Sequence, residues 1–217
     1  MLKAAVIVDY QNVHLTSLEV FDSDYESRRN SLNPLLFATC LIEERNSRVK
    51  DERLLAKLKR VEVYRGLPSS IHDPIDNARN LEQKRRWMED PRVQVTLRPL
   101  KYSTTRPSKA NASSKGYVVK REKGIDVLCA LAVVRNAQSP DIDLVVLASH
   151  DSDLEPALEE AVLLSPETKI ETASWFNPST KKGWIRLNPR VSTPIWNNRL
   201  GRSILTGSQE KRDTSLT

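Results

Sequence analysis

The sequence has few residues of the kinds that build disulfide frameworks, zinc clusters or phosphate loops. Its 217 residues include two cysteines, three histidines and six glycines. Cys40 and Cys129 both lie in apolar stretches, which indicates buried thiols rather than a disulfide or a metal pair. The histidines are scattered, and no zinc signature, Gly-rich phosphate loop or nucleophile elbow is present. These chemistries are therefore not expected.

Long apolar runs are also missing. No run approaches the roughly 20 residues that a helix needs to span a bilayer. Residues 1–4 lead directly into a predicted strand, which leaves no room for a signal peptide. We expect a reduced, cytoplasmic protein that does not associate with membranes.

The charge is unbalanced towards the basic side. Lys and Arg together number 34 against 28 Asp and Glu, which gives a formal net charge of +6. A basic surface fits a polyanionic partner, although an ordinary basic protein without a nucleic-acid role has the same balance. The length suits one domain over residues 1–200, followed by a Ser-, Thr-, Lys- and Arg-rich tail over 201–217 that we expect to be disordered.

Hydrophobic patterning predicts alternating strands and helices. Continuous apolar runs at residues 4–8 and 144–148 are typical of strands buried on both faces, and the second run predicts a strand over 143–149. Further strands are predicted over 59–67, 93–100 and 169–175, with helices over 34–45, 74–88, 124–136 and 153–164. This alternation indicates the α/β class, with a mainly parallel central sheet between layers of helices.

Acidic residues follow two of these buried strands and begin one helix. Asp9 ends the first strand, Asp151 and Asp153 follow the strand over 143–149, and Asp126 lies in the first turn of an apolar helix. Four carboxylates gathered at one sheet edge would repel one another unless a cation neutralised them. The pattern therefore predicts a divalent-metal site, and its oxygen-only donors favour Mg²⁺ or Mn²⁺ over zinc.

Each of these residues also has a structural alternative. Asp9 and its neighbour Asn12 could stabilise a turn after the strand, and Asp126 could complement the helix dipole. Asp153 is well placed as the helix N-cap, which makes Asp151 the better ligand candidate. Ser149 could contact a phosphate or hold Asp151 in place, and these two interpretations stay open.

A basic segment precedes Asp126. Residues 103–116 contain no large apolar side chain, which predicts a loop. Because this loop leads towards the acids, we expect it to contact nucleic acid, although an ordinary solvated surface is the alternative. The candidate contacts are Lys101, Arg106, Lys115, Lys120, Arg121 and Lys123.

Three ordered motifs give the chain a resemblance to a known family. They are Asp9-x-x-Asn12 after a strand, Lys123-Gly124-x-Asp126 at a helix start, and Ser149-x-Asp151-Ser152-Asp153 after a later strand. In these motifs the chain resembles NYN domains of the PIN-like nuclease superfamily, although such domains usually have glycine where this chain has His150. The resemblance implies a PIN-like three-layer α/β/α fold and a metal-dependent ribonuclease. It also implies Asp9, Asp126 and Asp151 as catalytic acids, with Asn12 and Asp153 in support.

The expected function is therefore hydrolysis of RNA, preferably single-stranded, by metal-activated water at the carboxylate cluster. The alternative is a catalytically inactive NYN-like module that binds RNA or a protein. A phosphatase with Asp9 as phosphoryl acceptor is disfavoured, because Gln11 stands where such enzymes have a second acid. A homodimer and a protein partner such as an antitoxin remain open.

Overall fold

The computed structural model describes residues 1–21, 31–104, 118–183 and 187–210. The strands in these ranges are β1 (Leu2–Asp9), β2 (Ala56–Leu67), β3 (Val93–Pro99), β4 (Lys101–Thr104), β5 (Val118–Arg121), β6 (Leu144–Ala148), β7 (Lys169–Trp175) and β8 (Trp196–Leu200). The helices are α1 (Tyr10–Val20), α2 (Pro34–Ser47), α3 (Pro74–Trp87), α4 (Ile125–Ala137), α5 (Glu155–Leu164) and α6 (Arg202–Ser208). Short 3₁₀ turns occur at Glu52–Leu54 and Ser152–Leu154.

In the described part of the chain, six strands form one sheet in the order β3-β2-β1-β6-β7-β8. Every neighbouring pair in this sheet is parallel. The chain winds outward from β1 in one direction and from β6 in the other. In sheets of this kind, ligands bind beyond the carboxyl ends of the strands where the winding direction reverses. That position here lies between β1 and β6.

Helices cover both faces of the sheet. Alternate β1 residues Ala4, Val6 and Val8 pack into a core with α1, α2 and α6. Ala5 and Ile7 point to the opposite face and pack against α4 and α5. Both sets are buried, which explains why β1 reads as an uninterrupted apolar run. The predicted three-layer α/β/α arrangement with a mainly parallel sheet is confirmed.

Two of the described strands lie outside the main sheet. β4 and β5 pair antiparallel, with Lys101 opposite Arg121 and Tyr102 opposite Lys120. The loop predicted over 103–116 is wrong for its first two residues, because Ser103 and Thr104 pair with β5 as the end of β4. Residues 105–116 of this loop lie outside the described ranges. The hairpin ends at Arg121, four residues before α4 begins at Ile125.

The expectation of a disordered tail from residue 201 is wrong for its first part. Residues 202–208 form α6, and Ile204 and Leu205 are buried in the same core as α2. The backbone N–H of Asn33 donates to the Ser208 carbonyl at 2.8 Å, which fixes α6 beside the start of α2. Residues 211–217 of the tail lie outside the described ranges. Among the described residues, no helix combines the length and apolarity needed to cross a membrane.

Candidate metal centre

Asp9 lies at the carboxyl end of β1 and is 2% exposed. Side chains alternate along a strand, so Asp9 shares the face of Ala5 and Ile7, which α4 covers. On the adjacent strand, Leu147 pairs with Ile7, and Ser149 lies two residues beyond it on the same face. The alternation that buries the core therefore directs both polar side chains towards the start of α4.

Asp126 is placed by the turn that begins α4. Gly124 precedes the helix with φ of 80°, a left-handed conformation that favours glycine. A Cβ atom at this position would lie 3.2 Å from Nε of Arg98, so space is also short. Ile125 is buried in the core and fixes the first turn, leaving Asp126 exposed beside it. The Lys-Gly-x-Asp motif thus has a local structural basis.

Asp151 follows β6, and its side chain also shapes the local backbone. Its Oδ1 accepts a hydrogen bond from the backbone N–H of Asp153 at 3.0 Å, capping the turn at Ser152–Leu154. α5 begins after this turn, with Leu154 as its N-cap and no side-chain cap. The interpretation of Asp153 as the helix cap is therefore wrong, and Asp151 has the capping role one turn earlier.

Three of the predicted acids converge. Asp9, Asp126 and Asp151 each place one carboxylate oxygen within 4.8 Å of the other two, and this is the one such acidic group among the residues the structure describes. Asp153 is not a member of this group. The three acids come from β1, α4 and the segment after β6, so only folding brings them together. Buried, partly buried and exposed positions are all represented in the group.

Ser149 and Asn12 hold the surrounding backbone. The hydroxyl of Ser149 donates to Oδ2 of Asp9 at 3.0 Å and accepts from the backbone N–H of Asp151 at 3.1 Å. Oδ1 of Asn12 accepts from the backbone N–H of His150 at 2.8 Å. Two side-chain hydrogen bonds, one from Ser149 to Asp9 and one to Asn12 from His150, therefore join the first motif to the third. Of the two interpretations of Ser149, its contacts match the one in which it holds Asp151.

Burial and repulsion between acids raise the proton affinity of two members of the cluster, Asp9 and Asp126. The pKa of Asp9 is raised to about 7, chiefly by burial and further by the charges of Glu122 and Asp126. The hydrogen bond from Ser149 and the backbone N–H of Asn12 act in the opposite direction. Burial also raises the pKa of Asp126, and Asp151 and Asp153 add repulsion. The arrangement concentrates negative charge that a cation would relieve.

Glu122 is an acid at this site that the sequence reasoning missed. It immediately follows the hairpin, and Oε1 accepts from the backbone N–H of Gly66 on β2 at 2.5 Å. Burial raises its pKa, and the charge of Asp126 adds to the effect. The one available signal was its position four residues before Asp126, in a segment otherwise dominated by basic residues.

His150 has a structural role. Its Nε2 accepts a hydrogen bond from the backbone N–H of Trp175 at 2.9 Å, which joins the segment after β6 to the end of β7. Burial lowers the pKa of His150 to about 4, so the ring is neutral at physiological pH. With Nε2 accepting, the proton resides on Nδ1. Among the described residues, His150 is not part of the converging group of possible ligands.

Of the six predicted nucleic-acid contacts, three are exposed, a fourth forms an ion pair and two lie outside the described residues. Lys101 and Arg121 are exposed and directly opposite one another on the hairpin, a placement in which like charges destabilise a strand pair. Lys123 is exposed between the hairpin and α4. Lys120 forms an ion pair with Asp73 at 2.8 Å, so its charge is partly compensated. Arg106 and Lys115 lie outside the described residues.

The donor set fits a hard divalent cation. All three converging side chains offer carboxylate oxygens, the ligands that Mg²⁺ and Mn²⁺ prefer. Neither free cysteine belongs to the group, although the charges of all three acids act on the buried thiol of Cys129, and burial raises the pKa of that thiol. His150 is engaged with Trp175. The converging residues themselves therefore suit an oxygen-ligated ion.

Comparison with known proteins adds little. No family model matches the chain, and no curated protein matches it. Among solved structures, the chain is similar to a protein of unknown function from Vibrio parahaemolyticus, with 20% sequence identity and a TM-score of 0.44. The similarity covers 79% of this chain and 80% of the other. A similarity this low carries no information about activity.

Proposed function

We propose that the chain is a metal-dependent ribonuclease in which Asp9, Asp126 and Asp151 hold Mg²⁺ or Mn²⁺. The observation that carries this proposal is the convergence of three carboxylates from separate chain segments to within 4.8 Å. Their place beyond the carboxyl ends of β1 and β6, where the winding of the sheet reverses, is the usual ligand position of such folds. The resemblance of the three motifs to NYN domains agrees with this assignment.

The surrounding residues have distinct tasks. Ser149 orients the Asp9 carboxylate and fixes the backbone of Asp151 through its two hydrogen bonds. Asn12 joins the first turn of α1 to His150 and so keeps the two strand ends together. When bound, the cation supplies Lewis-acid stabilisation of the phosphate and a lowered pKa for a water nucleophile. Asp153 contributes charge near Asp126 rather than a ligand atom.

Single-stranded RNA is the proposed substrate. Lys101 and Arg121 form no ion pair within the described part of the chain, and their juxtaposition on the hairpin favours an anionic partner. The exposed Lys123 continues this basic surface to within three residues of Asp126. An RNA strand whose phosphates bind along the hairpin would be directed towards the three acids. A cytoplasmic location is part of the same proposal.

Cleavage of a labelled single-stranded RNA in Mn²⁺, Mg²⁺ or EDTA tests the proposal. We expect cutting in either metal, none in EDTA, and a loss of at least about a hundredfold in Asp9→Asn and Asp151→Asn. The matched control is Asp141→Asn. Asp141 is an exposed acid at the amino-terminal ends of the strands, away from the carboxylate cluster, and this variant should cut normally. RNA binding without cutting in both metals would overturn the nuclease and favour the binding module.

A further inference from the structure

A second polar cleft lies beside the candidate metal centre. It has a volume of about 630 Å³, within the range of small-molecule sites. The first turns of α1, the end of β2 and one side of α3 form its walls. Its lining includes Tyr10, His14, Arg65, Gly66, Arg79 and Lys120.

Arg65 is the distinctive residue of this cleft. Its guanidinium lies 4.5 Å from the centre of the Tyr10 ring, and Nη1 donates to the amide oxygen of Gln83 at 2.8 Å. Arg65 is half-buried, yet within the described residues it has no carboxylate partner in an ion pair. The aromatic ring and the neutral amide hold the guanidinium in place without a directly paired carboxylate, and the charges of Glu122, Asp76 and Glu210 act on it from beyond ion-pair distance.

The other two cations of the cleft differ in this respect. Arg79 pairs with Asp76 at 3.0 Å, and Lys120 pairs with Asp73 at 2.8 Å. Both are extensively exposed, so water stabilises their charges as well. Arg65 is therefore the cation for which an incoming anion would bring the largest gain.

A second unsatisfied group belongs to His14, another residue that lines the same cleft. Nδ1 of His14 is buried and has no hydrogen-bond partner among the described residues. The His14 ring stacks on Tyr10, with ring centres 6.1 Å apart, so the imidazole and the guanidinium of Arg65 both lie against the Tyr10 ring. Together, His14 and Arg65 give the cleft two side chains whose hydrogen-bonding capacity the described residues use only in part.

Residues of the cleft are directly connected to residues of the metal centre. Tyr10 directly follows Asp9, and Gly66, which lines the cleft, donates its backbone N–H to Glu122 at 2.5 Å. The charge of Glu122 acts on both Asp9 and Arg65. A chain with regularly spaced phosphates could therefore occupy both places at once. The planar fork of an arginine is suited to two oxygens of one phosphate.

We propose that the Arg65 cleft is a phosphate-binding subsite that holds a phosphate group of the substrate next to the one at the carboxylates. The proposal rests on the ribonuclease function for the identity of the substrate. The phosphate is either an internal phosphodiester or the terminal phosphate of a strand. Both offer the same charged oxygens to the guanidinium.

Fluorescence anisotropy with short single-stranded RNA tests this subsite under conditions that do not allow cutting, in EDTA and in Ca²⁺. Matched RNAs with a 5′-hydroxyl or a 5′-phosphate are titrated at several salt concentrations against the unaltered protein, Arg65→Gln and Arg65→Lys. The control is Arg53→Gln, since Arg53 is exposed, lies at the amino-terminal ends of the strands and is paired with Asp51. Thermal unfolding of each variant verifies that it is folded.

We expect Arg65→Gln to bind RNA about tenfold more weakly and to reduce the salt slope by about 0.7, the value for one phosphate contact on a single strand. Arg65→Lys should retain the slope but lose part of the affinity, because it keeps the charge without the fork. A loss with both RNAs identifies an internal phosphodiester, and a loss only with the 5′-phosphate RNA identifies a terminal phosphate.

Unchanged affinity and slope in folded Arg65→Gln, for both RNAs, would overturn the subsite, as would failure of the unaltered protein to bind RNA in either buffer. This result is separable from that of the cleavage test. Arg65-dependent binding without cutting would retain the subsite and overturn the nuclease. Metal-dependent cutting with no contribution from Arg65 would do the opposite.

Discussion

The hydroxyl of Ser149 donates to Oδ2 of Asp9 at 3.0 Å and thereby joins the carboxyl ends of β1 and β6. The hydroxyl oxygen of Ser149 also accepts from the backbone N–H of Asp151 at 3.1 Å. A hydroxyl can serve both as donor and as acceptor, which a side chain of similar size such as alanine or cysteine cannot reproduce equally well. Two of the three converging acids therefore depend on one serine.

Replacement of this serine should change the acidity of the site. In Ser149→Ala, Asp9 loses a hydrogen bond that lowers its pKa, so we expect that pKa to rise above 7 by roughly one unit. Metal binding should then require a correspondingly higher pH. Calorimetric titration with Mn²⁺, repeated about every half pH unit between pH 6 and pH 9, measures this shift in the pH dependence of metal binding. The exposed neighbour Ser152→Ala is the control, and equal pH profiles for both variants would contradict the role of Ser149.

Burial of Asp9 should make the metal-free protein sensitive to pH. The pKa of Asp9 in the folded state, about 7, lies above the ordinary value near 4, so the folded state keeps a proton that the unfolded chain loses. The free energy of unfolding therefore decreases as pH rises from about 4 to about 7 and then levels off. The decrease has an upper bound of about 4 kcal/mol.

Asp9→Asn removes this titration. In EDTA at pH 8, we expect the variant to be more stable than the unaltered protein, by up to about 4 kcal/mol, and to lose the decrease between pH 4 and pH 7. Urea unfolding at several pH values gives the comparison, with Asp141→Asn as a control. A variant less stable than the unaltered protein at pH 8 would show that the Asp9 carboxylate stabilises the fold.

The hydrogen bond between His150 and Trp175 predicts that His150 supports the fold and does not bind metal. His150→Leu leaves the buried N–H of Trp175 without its acceptor, which should cost about 1–3 kcal/mol in the free energy of unfolding. His150→Gln offers a carbonyl oxygen and should recover part of this loss. Both variants should bind Mn²⁺ with unchanged stoichiometry, measured by calorimetry. Loss of the ion in both folded variants would make His150 a ligand.

Glu122 should act on the cation through its charge. Glu122→Gln keeps an oxygen that can accept from Gly66 but removes a negative charge that acts on Asp9 and Asp126. We expect Mn²⁺ affinity to fall about three- to tenfold, without loss of the site. Glu167→Gln, an exposed acid before β7, is the control. Unchanged affinity would place Glu122 outside the influence of the ion, and complete loss would make it a ligand.

The sequence predicted the parts of the fold that depend on local pattern. The apolar run before Asp9 predicted a strand buried on both faces, and α2 begins at Pro34, where the helix predicted over 34–45 begins. The three acids could be placed together because parallel strands share their carboxyl edge and α4 begins there. Periodicity was sufficient for these features.

Features that depend on distant contacts were not predictable. The polar strand β8 and the short helix α6 are stabilised by packing on β7 and α2, which their own composition does not reveal. Asp151 and Asp153 are both plausible caps in sequence, and only the backbone of the intervening turn decides between them. Glu122 reaches Gly66 across 56 residues, and Arg65 meets Tyr10 only in the folded chain.

The most direct test of the central claim is the location of a bound ion by anomalous scattering from crystals grown with Mn²⁺. We expect one anomalous peak bounded by the carboxylates of Asp9, Asp126 and Asp151, with oxygen distances of about 2.0–2.2 Å, and no peak there in crystals of Asp151→Asn. A well-ordered cluster without Mn²⁺, or a peak only elsewhere on the protein, would contradict the metal centre and with it the proposed nuclease.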